Sequence, residues 1–276
     1  RSSDLVDNSY AMGWDVNPGT GREPWRQPHL QIHEPDGRCR YEYYAWAGPL
    51  VGAPSSREVS DSSFTYLNFS DDGKTLMLSG WSDGGNSVLL KSPIDIRYNV
   101  TKDYPGLGMS AWGINASSLA YIIKMDPETG TITGHTSYLA YLKSENKPNG
   151  LRVNHLNTAS DGSTIVCGGS AFGFIQTGQS RFTGNYVGGS YVTIMNDSLN
   201  DLRFAAIIPG AGAVPLHLQD YAWASAKAVA AGRHRVLVVS GATLHTEAWT
   251  ERPVQPTFGG GLLDAMIVAL DLGPAS

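Results

Sequence analysis

Apolar and polar positions near the end of the chain fall into runs too short and too densely β-branched for helices. Tyr221–Val229 stops at Ala230-Ala231-Gly232, Val236–Gly241 follows, and Asp264–Asp271 comes after a long connecting segment, Ala242–Leu263. Short apolar runs punctuated by glycine predict buried strands, so this stretch reads as three of them.

The pattern recurs upstream. The last strand of the three has counterparts in His29–Pro35, Tyr121–Pro127 and Tyr191–Asn196, each closing on an acid or amide: Glu34, Asp126, Asn196 and Asp271. The middle strand is matched by Thr75–Gly80 and Thr164–Gly169, and Gly13-Trp14 repeats Gly80-Trp81. Asp71-Asp72-Gly73 and Ser160-Asp161-Gly162 precede two of the copies, and Asp-Gly between alternating runs is a strong hairpin signal. First strands are then predicted at Phe64–Phe69, Arg152–Asn157 and Tyr221–Val229, and fourth strands at Arg40–Trp46, Thr131–Tyr141 and Leu202–Ile208.

A tandem four-stranded antiparallel unit is the blade of a β-propeller. The expectation is therefore an all-β, single-domain chain over 1–276. It holds blades at approximately 6–50 (partial), 60–142, 150–210 and 219–273 (partial). That makes about three and a half blades of an incomplete propeller. Its end blades each lack a strand, so association through open blade edges is expected. The segments joining second to third strands, about Trp14–Pro28, Trp81–Leu119, Ser170–Gly189 and Ala242–Leu263, absorb the unequal repeat lengths. Long connections in a compact fold are often functional.

The repeat resembles the bacterial β-propeller repeat known as SBBP. That family combines an Asp-Gly-type turn, a strand ending in Gly, a variable loop, and a Gly-Gly-x-Asp-Ala-Phe-Val-Ala-Lys-Leu-Asp-like strand. Gly259–Asp271 fits this pattern with Met266 at the aromatic position, while Gly188–Asn196 and Ala120–Asp126 fit more loosely. The resemblance covers most of residues 60–273 and implies a scaffold; its motifs identify no chemistry.

Composition narrows the function classes. Charged residues are 16% of the chain beside 32 glycines and 15 prolines, as in a loop-rich β protein. A net charge of -5 with no basic run argues against nucleic-acid binding. No apolar stretch reaches the roughly 18 residues of a membrane helix. No signal peptide is visible, and Arg1-Ser-Ser-Asp-Leu5 resembles a translated sequencing-adapter end, so a fragment of a longer reading frame from environmental DNA is expected. Cys39 and Cys167 lie far apart in different strand-like runs and are expected as two buried free thiols.

Two groups of residues are candidates for binding. Alternation puts Tyr66 and Asn68, His155 and Asn157, and Ser225 and Lys227 on matching faces of the first strands, which line the channel of a propeller. Such a polar ring wets a water-filled channel or holds an ion or small ligand. Trp14, Trp25, Trp81, Trp112 and Trp249, five of the seven tryptophans, cluster with Asp83 in the second-to-third segments at one end of the blades. Indoles there stack on sugars or anchor a protein, or pin the loops onto the blades.

The resulting expectation is a non-catalytic scaffold, extracellular or at the bacterial cell surface, that contacts a glycan or protein through its Trp-bearing loops. The alternative is a glycosidase or lyase using Glu23, Asp83, Asp95, Asp103, Glu247 or Glu251, with His245 beside Glu247. No cofactor is implied and no metal motif occurs. His29 and His33 share a strand face, but at i, i+4 they stand about 13 Å apart, too far for one ion.

Overall fold

In the computed structural model, the described residues are 9–16, 26–44, 62–82, 103–104, 109–110, 119–142, 144, 147–159, 161–170, 173–177, 189–207, 225–231, 234–243 and 264–274. They form antiparallel sheets, with no helix among them. Sheet I joins β1 (Ser9–Val16), β2 (Arg26–His33) and β3 (Cys39–Tyr44) in chain order. Sheet II begins with β4 (Ser62–Phe69) and β5 (Leu76–Ser82). The connection that follows contains a minimal pair, β6 (Asp103–Tyr104) with β7 (Met109–Ser110). β8 (Leu119–Met125) and β9 (Ile132–Tyr138) complete the sheet in the order β4-β5-β8-β9. A hairpin of β10 (Ala140–Leu142) and β11 (Lys147–Asn149) leads to sheet III: β12 (Leu151–Thr158), β13 (Thr164–Ser170), β14 (Gly189–Met195) and β15 (Leu202–Ile207). Sheet IV holds β16 (Ser225–Ala231), β17 (His234–Thr243) and β18 (Asp264–Pro274).

Two expectations about strand limits are corrected. The Thr131–Tyr141 strand breaks at Leu139, where the chain leaves β9 and enters the β10–β11 hairpin. The second strands also run past their glycines. Trp14 sits in β1 opposite Pro28, and Trp81 sits in β5 opposite Ala120, because antiparallel pairing continues beyond the glycine. Both tryptophans are therefore strand residues at the mouth of the connecting segments.

Sheet II is covered on both faces. Its residues Phe64, Leu76, Leu78, Tyr121, Ile123 and Met125 pack with Leu30 and Ile32 of sheet I. From its other face, Met77, Ala120, Ile122 and Tyr138 pack with sheet III residues that include Leu156, Val166, Tyr191 and Met195. Neighbouring residues such as Leu76, Met77 and Leu78 point into different layers, yet all are buried. This explains why the strands read as continuous apolar runs, as sheets buried on both faces do. First strands meet across the layers: β4 lies against β12, and β12 against β16.

A glycine fixes each sheet at the same register. Gly13 faces His29, Gly80 faces Tyr121, Gly168 faces Tyr191 and Gly241 faces Met266. In sheets II and III the first strand bulges beside this glycine, with register shifts between Phe64 and Tyr66 and between Val153 and His155. The bulge swings a carbonyl, of Ser63 or Arg152, into the space a β-carbon would fill at Gly80 or Gly168. Tyr191 closes the arrangement by donating its hydroxyl to the Arg152 carbonyl at 3.0 Å.

Cations tie successive sheets at the end carrying the short turns. Arg40 of β3 pairs with Glu34 at 2.6 Å and reaches Glu128, in the turn between β8 and β9, at 3.0 Å. Lys124 of β8 is buried, and its Nζ donates to the carbonyls of Gly162 at 3.1 Å and Asp197 at 3.0 Å and to the Asp197 carboxylate, all in turns of sheet III. Cys167 is buried as expected, and burial pushes its thiol up. Cys39 is free but exposed, because it opens β3 directly after the Glu34–Arg38 turn.

Candidate functional site

The seam between the first strands brings the polar residues together. The Tyr66 hydroxyl and His155 Nδ1 lie 2.7 Å apart, with ring centroids 5.5 Å apart and tilted by 59°. Both side chains are half-buried. Burial holds the His155 imidazole below its usual value of 6.5 and raises the Tyr66 phenol, so both neutral forms are favoured near pH 7. One strand turn along, Asn68 donates Nδ2 to the Leu156 carbonyl at 2.8 Å, while its Oδ1 accepts the Phe69 N–H at 2.9 Å. Asn157 repeats that second contact, accepting the Thr158 N–H at 2.9 Å. Asn68 is thus spent in joining β4 to β12. Of Ser225 and Lys227, only the backbone in β16 is described.

A neutral imidazole folded against a phenol makes stability depend on pH. Unfolded His155 takes up a proton near 6.5, whereas the folded chain resists it until lower pH, so the unfolded state binds more protons in that window. Stability is fully present above about pH 6.5 and falls as acidification proceeds toward the depressed folded value. Thermal melts at pH 7.5 and 5.5 are expected to show a drop that shrinks in His155→Gln; an equal drop in the variant would locate the proton elsewhere.

The second candidate is the end from which the long connections leave. Trp81 is half-buried there, between Ser63 on β4 and Ala120 on β8. Trp14 occupies the matching backbone position in sheet I, one residue after the aligned glycine; its side chain is outside the described set. Trp25, Asp83, Trp112 and Trp249 lie outside the described residues. So do Glu23, Asp95, His245, Glu247 and Glu251, and Asp103 is placed only by its backbone in β6.

His29 and His33 go separate ways on the outward face of sheet I. His29 Nε2 meets Glu42 Oε1 at 2.6 Å; His33 contacts the Gly37 carbonyl and Gln31, each at 3.2 Å. Among the described residues no group of three His, Cys, Asp or Glu is disposed to hold a metal ion. Likewise, no described helix is long and apolar enough to cross a membrane.

Sequence reasoning missed Lys124 as a tie between sheets, since it reads as one polar residue in an apolar strand. The recurring glycines were visible, but the bulged carbonyls that require them were not. No protein-family model matches the chain and no curated protein is significantly similar to it, so the reading of these sites rests on geometry.

Proposed function

We propose that this chain is a non-catalytic binding scaffold whose sheets are blades of an incomplete β-propeller. It contacts a glycan or protein partner at the end bearing Trp81 and works outside the bacterial cell or on its surface. The observation that carries this reading is the half-buried Trp81 at the rim of a sheet packed on both faces. Rigid sheets hold such a rim in place, and an indole offers a large flat apolar area with a single N–H donor. The aligned register of Trp14 and Trp81 gives two neighbouring sheets the same residue at the same height, which suits an extended ligand. The resemblance to SBBP repeats supports the propeller arrangement.

A glycan-array screen run beside a hydrolysis assay tests the proposal. Binding without turnover is expected, and Trp81→Ala is expected to weaken it about tenfold or more with thermal stability nearly unchanged. Turnover that disappears in Glu247→Gln or Asp83→Asn would replace the scaffold with a carbohydrate-active enzyme. A large loss of stability in Trp81→Ala with binding intact would show that the indole only pins its connection to the sheet.

A further inference from the structure

We infer that Asn149 is a site of covalent self-modification: the backbone nitrogen of Gly150 attacks its side-chain amide and converts it to aspartate and isoaspartate. Asn149 closes β11, paired with Ala140, and Gly150 links it to Leu151 at the start of β12. The Gly150 N–H donates to Asn149 Oδ1 at 2.9 Å. The nucleophile and the carbonyl it attacks are therefore already in contact, which removes much of the entropic cost of closing a ring. Both residues are half-buried, so water reaches them.

Two comparisons within the chain single out this pair. Asn68 and Asn157 make the same contact with the next backbone N–H, each at 2.9 Å. There the next residues are Phe69 and Thr158, whose β-carbons crowd a nitrogen closing on the side chain; glycine has none. Asn68 is also held by its bond to the Leu156 carbonyl. The second comparison is with Asp36-Gly37, Asp72-Gly73 and Asp161-Gly162, where the glycine is present and the contact is replaced. In these turns the glycine N–H donates to the carbonyl of Glu34, Ser70 or Ala159, at 2.9, 2.9 and 3.0 Å. The carboxylates accept instead from the N–H groups of Arg38, Lys74 and Ser163. Asn149-Gly150 is the one Asn-Gly pair in the sequence, and it joins an unhindered nitrogen to a carbonyl within reach.

The reaction balances with water as its one reagent. Base removes the Gly150 N–H proton, the nitrogen bonds to Asn149 Cγ, and the Cγ–Nδ2 bond breaks. The departing nitrogen takes up a proton and leaves as ammonia. Water then opens the five-membered cyclic imide at either carbonyl. One opening leaves an ordinary aspartate; the other routes the backbone through the β-carbon and adds a methylene to the chain. Both add a negative charge to a chain already at -5. The second also lengthens the link between the β10–β11 hairpin and β12, whose first residue, Leu151, is buried and paired with Ser170.

This inference does not depend on the proposed binding role. Peptide mass spectrometry of the whole folded chain, held in mildly alkaline buffer, tests it together with enzymatic methyl labelling of isoaspartate. The mass gain of amide-to-acid conversion is expected at Asn149, and not at Asn68 or Asn157. It is expected to slow in mildly acidic buffer, where less of the backbone amide is deprotonated. Gly150→Ala is expected to slow it at least about tenfold, as a small misplacement of reacting groups does. The urea-unfolded chain is the reference: the folded rate at Asn149 is expected to match or exceed the unfolded one. A folded chain that reacts more slowly than the unfolded one would overturn the inference, because the contact would then be a restraint rather than an approach. So would reaction at Asn68 or Asn157 as fast as at Asn149, or an unchanged rate in Gly150→Ala. The folded-against-unfolded comparison uses the unaltered chain, so it decides the matter even if Gly150→Ala does not fold.

Discussion

Gly168→Ala is expected to destabilise the chain by about 3 kcal/mol, at the upper end of what overpacking a well-filled interior costs. A β-carbon at Gly168 would overlap the Arg152 carbonyl oxygen and crowd the Tyr191 hydroxyl, 3.1 Å away. That oxygen is backbone, held by the β12 bulge and by the Tyr191 hydrogen bond, and has no rotamer to move into. The adjacent residue supplies the control. Nothing lies within 4 Å of a β-carbon added at Gly169, so Gly169→Ala is expected to be neutral or to stabilise by a few tenths of a kcal/mol through the unfolded chain. Urea unfolding of the two variants checks this: the midpoint falls sharply for the first and holds for the second, with equal m-values. Equal midpoints would mean the bulge relaxes freely and the glycine is incidental.

The buried Lys124 leads to the second large effect. Its side chain is 3% exposed, while that of Asp197 is 70% exposed. Removing the aspartate with Asp197→Ala strands a buried cation on two carbonyls; removing the lysine with Lys124→Met leaves the carboxylate free to turn into water. Asp197→Ala is therefore expected to cost about 2 kcal/mol, below the 3–5 kcal/mol of fully enclosed pairs because one partner is already wet. Lys124→Met is expected to cost less, since methionine fills the same space and mainly orphans the Gly162 and Asp197 carbonyls. The double variant is expected near the Lys124→Met value, and a double-mutant cycle by chemical unfolding measures the coupling. Additive losses would mean that the ammonium and carboxylate do not act together.

Strand order was legible because it is carried by local signals. Asp71–Gly73 and Asp161–Gly162 mark turns in which Gly73 and Gly162 take φ of 72° and 80°, a conformation glycine adopts freely. Period-two alternation likewise put Tyr66 and His155 at matching positions. What was not legible depends on contacts across sheets. The hydrogen bond between Tyr66 and His155 links residues from two sheets, as does the use of Asn68 to hold Leu156. The β10–β11 hairpin escaped notice because Pro148, lacking an N–H, reads as loop and is tolerated only in so short a ladder. The strand positions of Trp14 and Trp81 were missed because a glycine was taken as the end of pairing, when it instead makes room for a bulged neighbour.

The cationic ties have an evolutionary consequence. They all engage short turns at one end: Glu34–Arg38, Asp126–Thr131, Asn196–Asp201 and the Gly162 turn. An insertion in any of these would displace an acid or carbonyl that a neighbouring sheet relies on, so their lengths are under constraint from two directions. The connections at the opposite end, between β1 and β2, β5 and β8, β13 and β14, and β17 and β18, already differ widely in length. Descendants of this chain can therefore drift and lengthen at one end without renegotiating the other.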